Sequence, residues 1–289
     1  MEKLQAAIEQ ARQRRGGTAT TPKAPAKAER STAAAPKPER KRQAPRLLPN
    51  DHMERWDALK SFRLPSKHGD SRRLVAHAAS ADASHFDILR TKLLIELRKN
   101  AWRRVAITSP STGCGKTTTA ANVALSISRQ GDLRTVLLDL DLRRPGIAGV
   151  FGHTPEEDVT SFLGGTRKFE DIAVALNGNL AIGMAGTAQT DPTRLMASDH
   201  VADLLAEIDE TLAPDVMIFD LPPLLAGDDA RSFLRHTDCA LLMIQAEKST
   251  AQQVDICERE IAEQTNVMGV VLNRTRFEEN KAGAAAYGY

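Results

Sequence analysis

Aromatic residues are scarce in this 289-residue chain, which has two tryptophans, two tyrosines and 4% aromatics in all. Single-stranded nucleic acid is gripped by aromatic faces set among basic side chains, so that class of partner is poorly served. Cysteine is rare too. The three copies, Cys114, Cys239 and Cys257, are scattered and odd in number. That argues against a disulfide framework or a zinc site and suits reduced thiols. No run approaches the roughly 18–20 apolar residues that span a bilayer. The first fifteen residues are charged throughout and lack the apolar centre of a secretory signal. A cytosolic location is the expectation that follows.

The net charge of +2 hides a split. Residues 1–50 hold 12 basic and 4 acidic side chains, so the remainder is about −6. From residue 16 to about 49 the chain is Ala, Pro, Lys, Arg, Thr and Ser without an aromatic. Such a segment cannot bury enough apolar surface to offset its ordering entropy. Residues 1–80 are therefore read as a disordered basic region, although Trp56, Leu59, Phe62 and Leu64 could pack onto a domain edge. Its charge suits a solvated linker or attraction to an anionic membrane face.

From residue 81 the pattern is regular. Ser84 to Arg98 reads as an amphipathic helix, with Phe86, Leu89, Leu93, Leu94 and Leu97 on one face. Apolar runs at 104–108, 135–139, 180–184, 216–219, 240–244 and 267–272 then alternate with helical stretches. Near-continuous apolar strands alternating with helices predict an α/β fold, a mostly parallel twisted sheet with helices on both faces. The expected domain runs over 81–276, followed by a flexible tail at 277–289.

Between the strand at 104–108 and a helix starting at Lys116 lies Ser109-Pro110-Ser111-Thr112-Gly113-Cys114-Gly115-Lys116-Thr117-Thr118. Backbone N–H groups and the helix dipole favour anions there. Gly113 and Gly115 let the backbone approach phosphate oxygens. Lys116 would bridge the β- and γ-phosphates of ATP, and the Thr117 hydroxyl would ligate Mg²⁺. Pro110 stands where the usual P-loop has its first glycine. Cys114, beside Lys116 at a helix N-terminus, has the setting of a low-pKa thiol whose modification would block ATP.

Asp139 and Asp141 end the second strand. Their i, i+2 spacing puts both carboxylates on one face of an extended segment, at the strand's carboxyl end where ligands bind open α/β sheets. Such a pair can hold hydrated Mg²⁺ and accept a proton from an attacking hydroxyl. Asp139 is the expected proton acceptor and Asp141 the metal or water ligand. Asp220 closes another apolar strand and is the expected further Mg²⁺ contact.

The chain from about residue 84 resembles the bacterial tyrosine autokinases of capsule and exopolysaccharide synthesis, relatives of the Min and Par partitioning ATPases. The resemblance rests on the P-loop and on Asp139-Leu140-Asp141-Leu142-Arg143-Arg144-Pro145. It also rests on Asp220-Leu221-Pro222-Pro223 with Asp229 downstream, on the stretch from Gly186 to Met196, and on Gly269 to Arg274. It implies a cytoplasmic ATP-dependent protein-tyrosine kinase on the inner face of the plasma membrane. Lys116, Asp139, Asp141 and Asp220 would carry catalysis, with Thr117 and the three aspartates around Mg²⁺. Nucleotide contacts would come from Ser111, Thr112, Gly113, Cys114, Gly115, Lys116, Thr117, Thr118, Asn273 and Arg274, with Asn273 at the adenine.

The resemblance further implies a membrane-embedded polysaccharide co-polymerase as activator, a homo-oligomer, and no nucleic acid. In that family a tyrosine cluster at the C-terminus is phosphorylated in trans, and both tyrosines here, Tyr287 and Tyr289, lie in the last three residues. The family's assembly motif Glu-x-x-Arg-x-x-Arg is reduced to Ser84, Asp87 and Arg90, so its usual ring contacts are not expected. The alternatives are a Min/Par-type ATPase and a non-catalytic nucleotide switch on a polysaccharide exporter. Partitioning ATPases carry an extra lysine where this chain has Ser111.

Overall fold

The computed structural model describes residues 50–65 and 74–275. The elements in chain order are α1 (Asn50–Ala58), β1 (Lys60–Ser61), α2 (Ser84–Asn100), β2 (Arg104–Thr108), α3 (Lys116–Ser128) and β3 (Thr135–Asp139). Three short helices follow, α4 (Ile147–Phe151), α5 (Val159–Leu163) and α6 (Phe169–Ile172), then β4 (Val174–Leu176) and β5 (Leu180–Gly183). The chain continues through α7 (Thr193–Met196), α8 (His200–Thr211), β6 (Val216–Asp220), α9 (Asp229–Leu234), β7 (Cys239–Gln245), α10 (Ala251–Gln264) and β8 (Asn266–Asn273).

The strands form one sheet in the order β1-β4-β5-β3-β6-β2-β7-β8. Every neighbouring pair is parallel except β4 with β5. Successive side chains of a strand point to opposite faces, and the core divides accordingly. Ala106, Val136, Leu138, Met217 and Phe219 join one cluster with α8, α9 and α10. Val105, Ile107, Leu137, Val216 and Ile218 join the other with α2 and α3. The expected fold class is thus what the chain adopts.

Helix α3 is buried almost all round, from Thr119 to Ser128. Its Thr-Thr-Thr-Ala-Ala start supplies small side chains, so it can press closely against the sheet and hold the preceding loop fixed. Asn122, wholly buried in that helix, accepts hydrogen bonds from Val75 N and Ala76 N at 2.9 Å each.

Two elements escaped the sequence reading. β4 has three residues and runs against its neighbour, so it shows no long apolar run. β1 has two and continues the sheet beyond β4. Residues 50–65 therefore belong to the fold, although the sequence division placed them before the domain. Trp56 is the anchor: it is 1% exposed, its Nε1 donates to Leu212 O at 2.7 Å, and the Arg134 guanidinium lies over its ring. Asp87 and Arg90 on α2, at the positions of the degenerate assembly motif, bond to each other and to Ser126 of α3, and Arg129 also donates to Asp87. The basic tail, the expected boundary at 276, and both tyrosines lie outside the described residues.

Candidate active site

Strand order assembles the site. β6 lies between β3 and β2, so the carboxyl ends of three strands converge. Asp139 and Asp220 are paired across β3 and β6, and Asp220 is level with Ile107 of β2, just before the loop. Residues 81 apart in sequence thus become neighbours, and both are wholly buried.

The loop from Ser109 to Gly115 turns tightly. Gly113 and Gly115 have φ of +85° and +93°, a left-handed conformation that costs glycine little. Gly115 is further constrained, because a Cβ there would lie 2.2 Å from Asn273 Nδ2. That amide donates to Cys114 O at 2.9 Å, tying the end of β8 to the loop. Asn273 Oδ1 accepts from the N–H of Arg274, which has a left-handed φ of +58°. Asn273 therefore stands against the phosphate loop, a contact that its expected place at the adenine did not include. Ser111 Oγ lies 3.7 Å from Cys114 Sγ. Cys114 is wholly buried, as are Cys239 and Cys257. Modification needs exposure, so the reactive-thiol expectation for Cys114 is not supported. Burial raises the Cys257 thiol to about 11, with Glu260 adding to the shift.

Lys116 opens α3 and points into the carboxylates, with Nζ 3.4 Å from Asp141 Oδ2 and both side chains 7% exposed. Asp139 is more occupied than the sequence suggests. Its Oδ2 accepts from the N–H groups of Gly146 and Ile147 at 3.0 and 2.9 Å, and its Oδ1 from Asp141 N at 3.3 Å. It thereby closes the loop that carries Asp141. Burial, and then the charge of Asp220, hold its carboxyl well above the usual range, against the pull of those two amides.

Asp220 is the reverse case. Neither buried oxygen has a hydrogen-bond partner of good geometry. Burial pushes its pKa up to about 7, opposed by the Lys116 charge and the nearby Thr117 hydroxyl and reinforced by Asp141. A bare carboxylate beside the Thr117 hydroxyl, in the first turn of α3, is a donor set that suits a hard cation. Among the described residues no His, Cys, Asp and Glu group forms a ready-made cage. Mg²⁺ needs none, since it is commonly held by one or two carboxylates with substrate phosphates and water.

The Asp220 shift predicts a pH dependence. The unfolded chain loses this proton near pH 4, whereas the fold keeps it until about 7. The folded state then binds more protons, so stability falls as pH rises from roughly 4 towards 7. Thermal unfolding without nucleotide and with chelator should show that decline. Asp220→Asn should flatten it and raise the melting temperature, by roughly 2–4 °C per kcal/mol recovered. A melting curve as steep in pH as the wild type's would refute the assignment.

One network was not anticipated as such. Arg143, from the loop after β3, donates to both oxygens of Asp229 at the start of α9 and to Thr190 O, and the Thr193 hydroxyl joins Asp229. Asp229 is nearly buried, and although burial alone would raise its carboxyl, the Arg143 and Thr193 hydrogen bonds hold it below the usual range. The acid-bearing loop is thus pinned at its middle as well as at Asp139. Arg143 and Asp229 could be noticed in sequence, but their pairing depends on β6 following β3 in the sheet.

Comparison with known proteins gives a consistent picture. The CobQ/CobB/MinD/ParA nucleotide binding domain matches residues 105–286. The tyrosine-protein kinase CpsD of Streptococcus pneumoniae is 30% identical over 201 residues, covering 68% of this chain and 85% of that protein. The tyrosine-protein kinase YwqD of Bacillus subtilis is 28% identical over 212 residues, covering 73% and 86%. Among solved structures, the VpsO kinase domain is 30% identical with a TM-score of 0.59, covering 68% of this chain and 100% of that one. The kinase domain of Escherichia coli tyrosine kinase ETK has a TM-score of 0.65 at 23% identity, covering 77% and 85%, and speaks for the fold.

Proposed function

The chain belongs to the CobQ/CobB/MinD/ParA nucleotide-binding domains and, within them, to the bacterial tyrosine-protein kinases, and from that membership we propose how its site transfers phosphate. It is a protein-tyrosine kinase. The γ-phosphoryl of ATP passes to a tyrosine oxygen, the bond to the β-phosphate breaks, ADP leaves, and the phenolic proton goes to a carboxylate. The observation that carries this reading is Asp220, buried between the loop and β3 with both oxygens unsatisfied.

In phosphoryl transfer the protein mainly positions groups and neutralises charge. The loop amides from Ser111 to Thr118 seat the phosphates, and Lys116 leaves Asp141 to meet the β/γ charge. Thr117, Asp141 and Asp220, with Asp139 behind them, are the residues that would hold Mg²⁺, which supplies charge neutralisation on the phosphates when bound. Asp139 Oδ1, held only by the longer 3.3 Å bond from Asp141 N, is the oxygen assigned to the tyrosine proton, and its raised affinity for a proton suits that task. Asn273 and Arg274 border the base. Ser111, in place of the lysine of partitioning ATPases, favours a kinase over a Min/Par-type ATPase.

Asp139→Asn and Asp141→Asn should each lower turnover by at least about 10²-fold, the scale of losing one well-placed charge or proton acceptor. They should differ in stability. Asp139→Asn turns an amide nitrogen toward backbone donors and should lower the melting temperature, whereas Asp141→Asn keeps the loop's backbone bonds and acts on stability only through the Lys116 ion pair. Equal turnover to wild type in both would defeat the roles given to this pair.

The acceptor is proposed to be the C-terminal tyrosines, Tyr287 and Tyr289, of another subunit. The setting is the control of exopolysaccharide or capsule polymerisation and export, through a membrane-embedded co-polymerase that activates the kinase at the inner face of the plasma membrane. The basic N-terminal region would add attraction to anionic lipid. Among the described residues no helix is long and apolar enough to cross a membrane. Incubation of purified protein with Mg-ATP and mapping of phosphosites tests the reading. Phosphate on serine or threonine alone, or none with activator present, would favour the nucleotide switch.

A further inference from the structure

Gln245, the last residue of β7, is the cross-strand partner of Asn273, the last of β8. Each carboxamide stands against one glycine of the phosphate loop. Asn273 meets Gly115, and Gln245 meets Gly113, where a Cβ would lie 3.9 Å from Gln245 Oε1. The two differ in their bonds. Asn273 is satisfied by Cys114 O and Arg274 N. Gln245 is bonded through its backbone N–H, to Ser249 Oγ at 3.0 Å, and its side chain has no hydrogen-bond partner among the described residues. Yet the residue is only 9% exposed. Its carboxamide is not among the sealed-off unsatisfied groups, so water reaches it from the side of the phosphate loop and a ligand there could take that water's place.

What would complete it is set by its neighbour. Gly113 belongs to the loop whose backbone N–H groups converge on anions. A half-turn of the carboxamide puts Nε2 toward the loop in place of Oε1. We propose that Gln245 is a nucleotide-binding residue whose Nε2 donates to a phosphate oxygen of ATP seated at Gly113. This rests on the reading of the loop as the ATP phosphate site. It gives the end of β7 a part in binding that no sequence motif marks, and it pairs with Asn273 so that two adjacent strands close one side of the loop.

The test is equilibrium binding of ATP, GTP and inorganic tripolyphosphate to wild type, Gln245→Leu and Gln245→Glu. Melting without ligand confirms the fold, and the near-isosteric Gln245→Glu keeps the test open if the Leu variant fails to fold. Gln245→Leu is expected to weaken ATP and tripolyphosphate alike by about tenfold, the scale of one hydrogen bond to a charged group, with the ATP-to-GTP preference unchanged. Gln245→Glu should weaken both further, since a carboxylate repels phosphate. Unchanged ATP affinity in both variants would overturn the assignment. So would weakened ATP binding with tripolyphosphate unaffected, which would place Gln245 at the base. Wild-type protein that binds neither ATP nor tripolyphosphate would overturn the loop reading itself.

Discussion

Lys116→Met is expected to abolish autophosphorylation and to weaken ATP binding strongly. Two effects act together. The β/γ charge loses its counter-ion, which in a preorganised site costs about 10²–10³-fold or more. In addition, Asp139, Asp141 and Asp220 lose the ammonium group that lies 3.4 Å from Asp141 and stabilises the charge of Asp220. Asp220 without that cation should hold its proton more tightly, so the site would also lose charge for Mg²⁺. The substitution removes a buried ion pair with one partner left behind, which is more damaging than an exposed pair would be. Phosphotyrosine formation and ATP affinity are the two measurements. Full autophosphorylation by the variant would remove the kinase assignment from this loop.

The second large effect concerns the tail. Tyr287→Phe combined with Tyr289→Phe should remove nearly all phosphotyrosine while leaving ATP affinity unchanged. Those are the only two tyrosines of the chain. A tyrosine hydroxyl reacts once it is in line with the γ-phosphate and relieved of its proton. Chain length does not decide which site it enters. Fourteen residues lead from Asn273, at the phosphate loop, to Tyr287. Extended, they could span roughly 45 Å, enough for their own site or a neighbour's.

Mixing separates the two. Lys116→Met protein, with intact tyrosines, should become phosphorylated when the double Phe variant is added, and at a rate that rises with concentration. No phosphate on it would refute transfer between subunits. Each phosphate adds about −1.5 to −2 charges. A phosphorylated tail should then be repelled from Asp139, Asp141 and Asp220, and an assembly held by docked tails should loosen. The double Phe variant should stay assembled when ATP is added, as sizing in solution would show.

The sequence determined the local structure of this protein and most of its chemistry. Apolar runs at 104–108 and 135–139 match β2 and β3 to the residue. Lys116 opens α3 as the P-loop pattern requires, and Asp139 and Asp220 end their strands. These features depend on side-chain periodicity and glycine conformations within a few residues, which is what sequence spacing encodes. The short β1 and β4 were not visible, because two or three residues carry no period and are held by sheet neighbours far away in the chain.

Tertiary structure decided which of the sequence's acids share a charge and which stand alone. Placing β6 between β3 and β2 sets Asp220 opposite Asp139 and within the field of Lys116, and burial then shifts both carboxyls. The same long-range order pairs Arg143 with Asp229 and brings Gln245 and Asn273 against Gly113 and Gly115. Strand order follows from how whole faces of the sheet bury against helices. That is a sum over many distant contacts, and no short motif contains it.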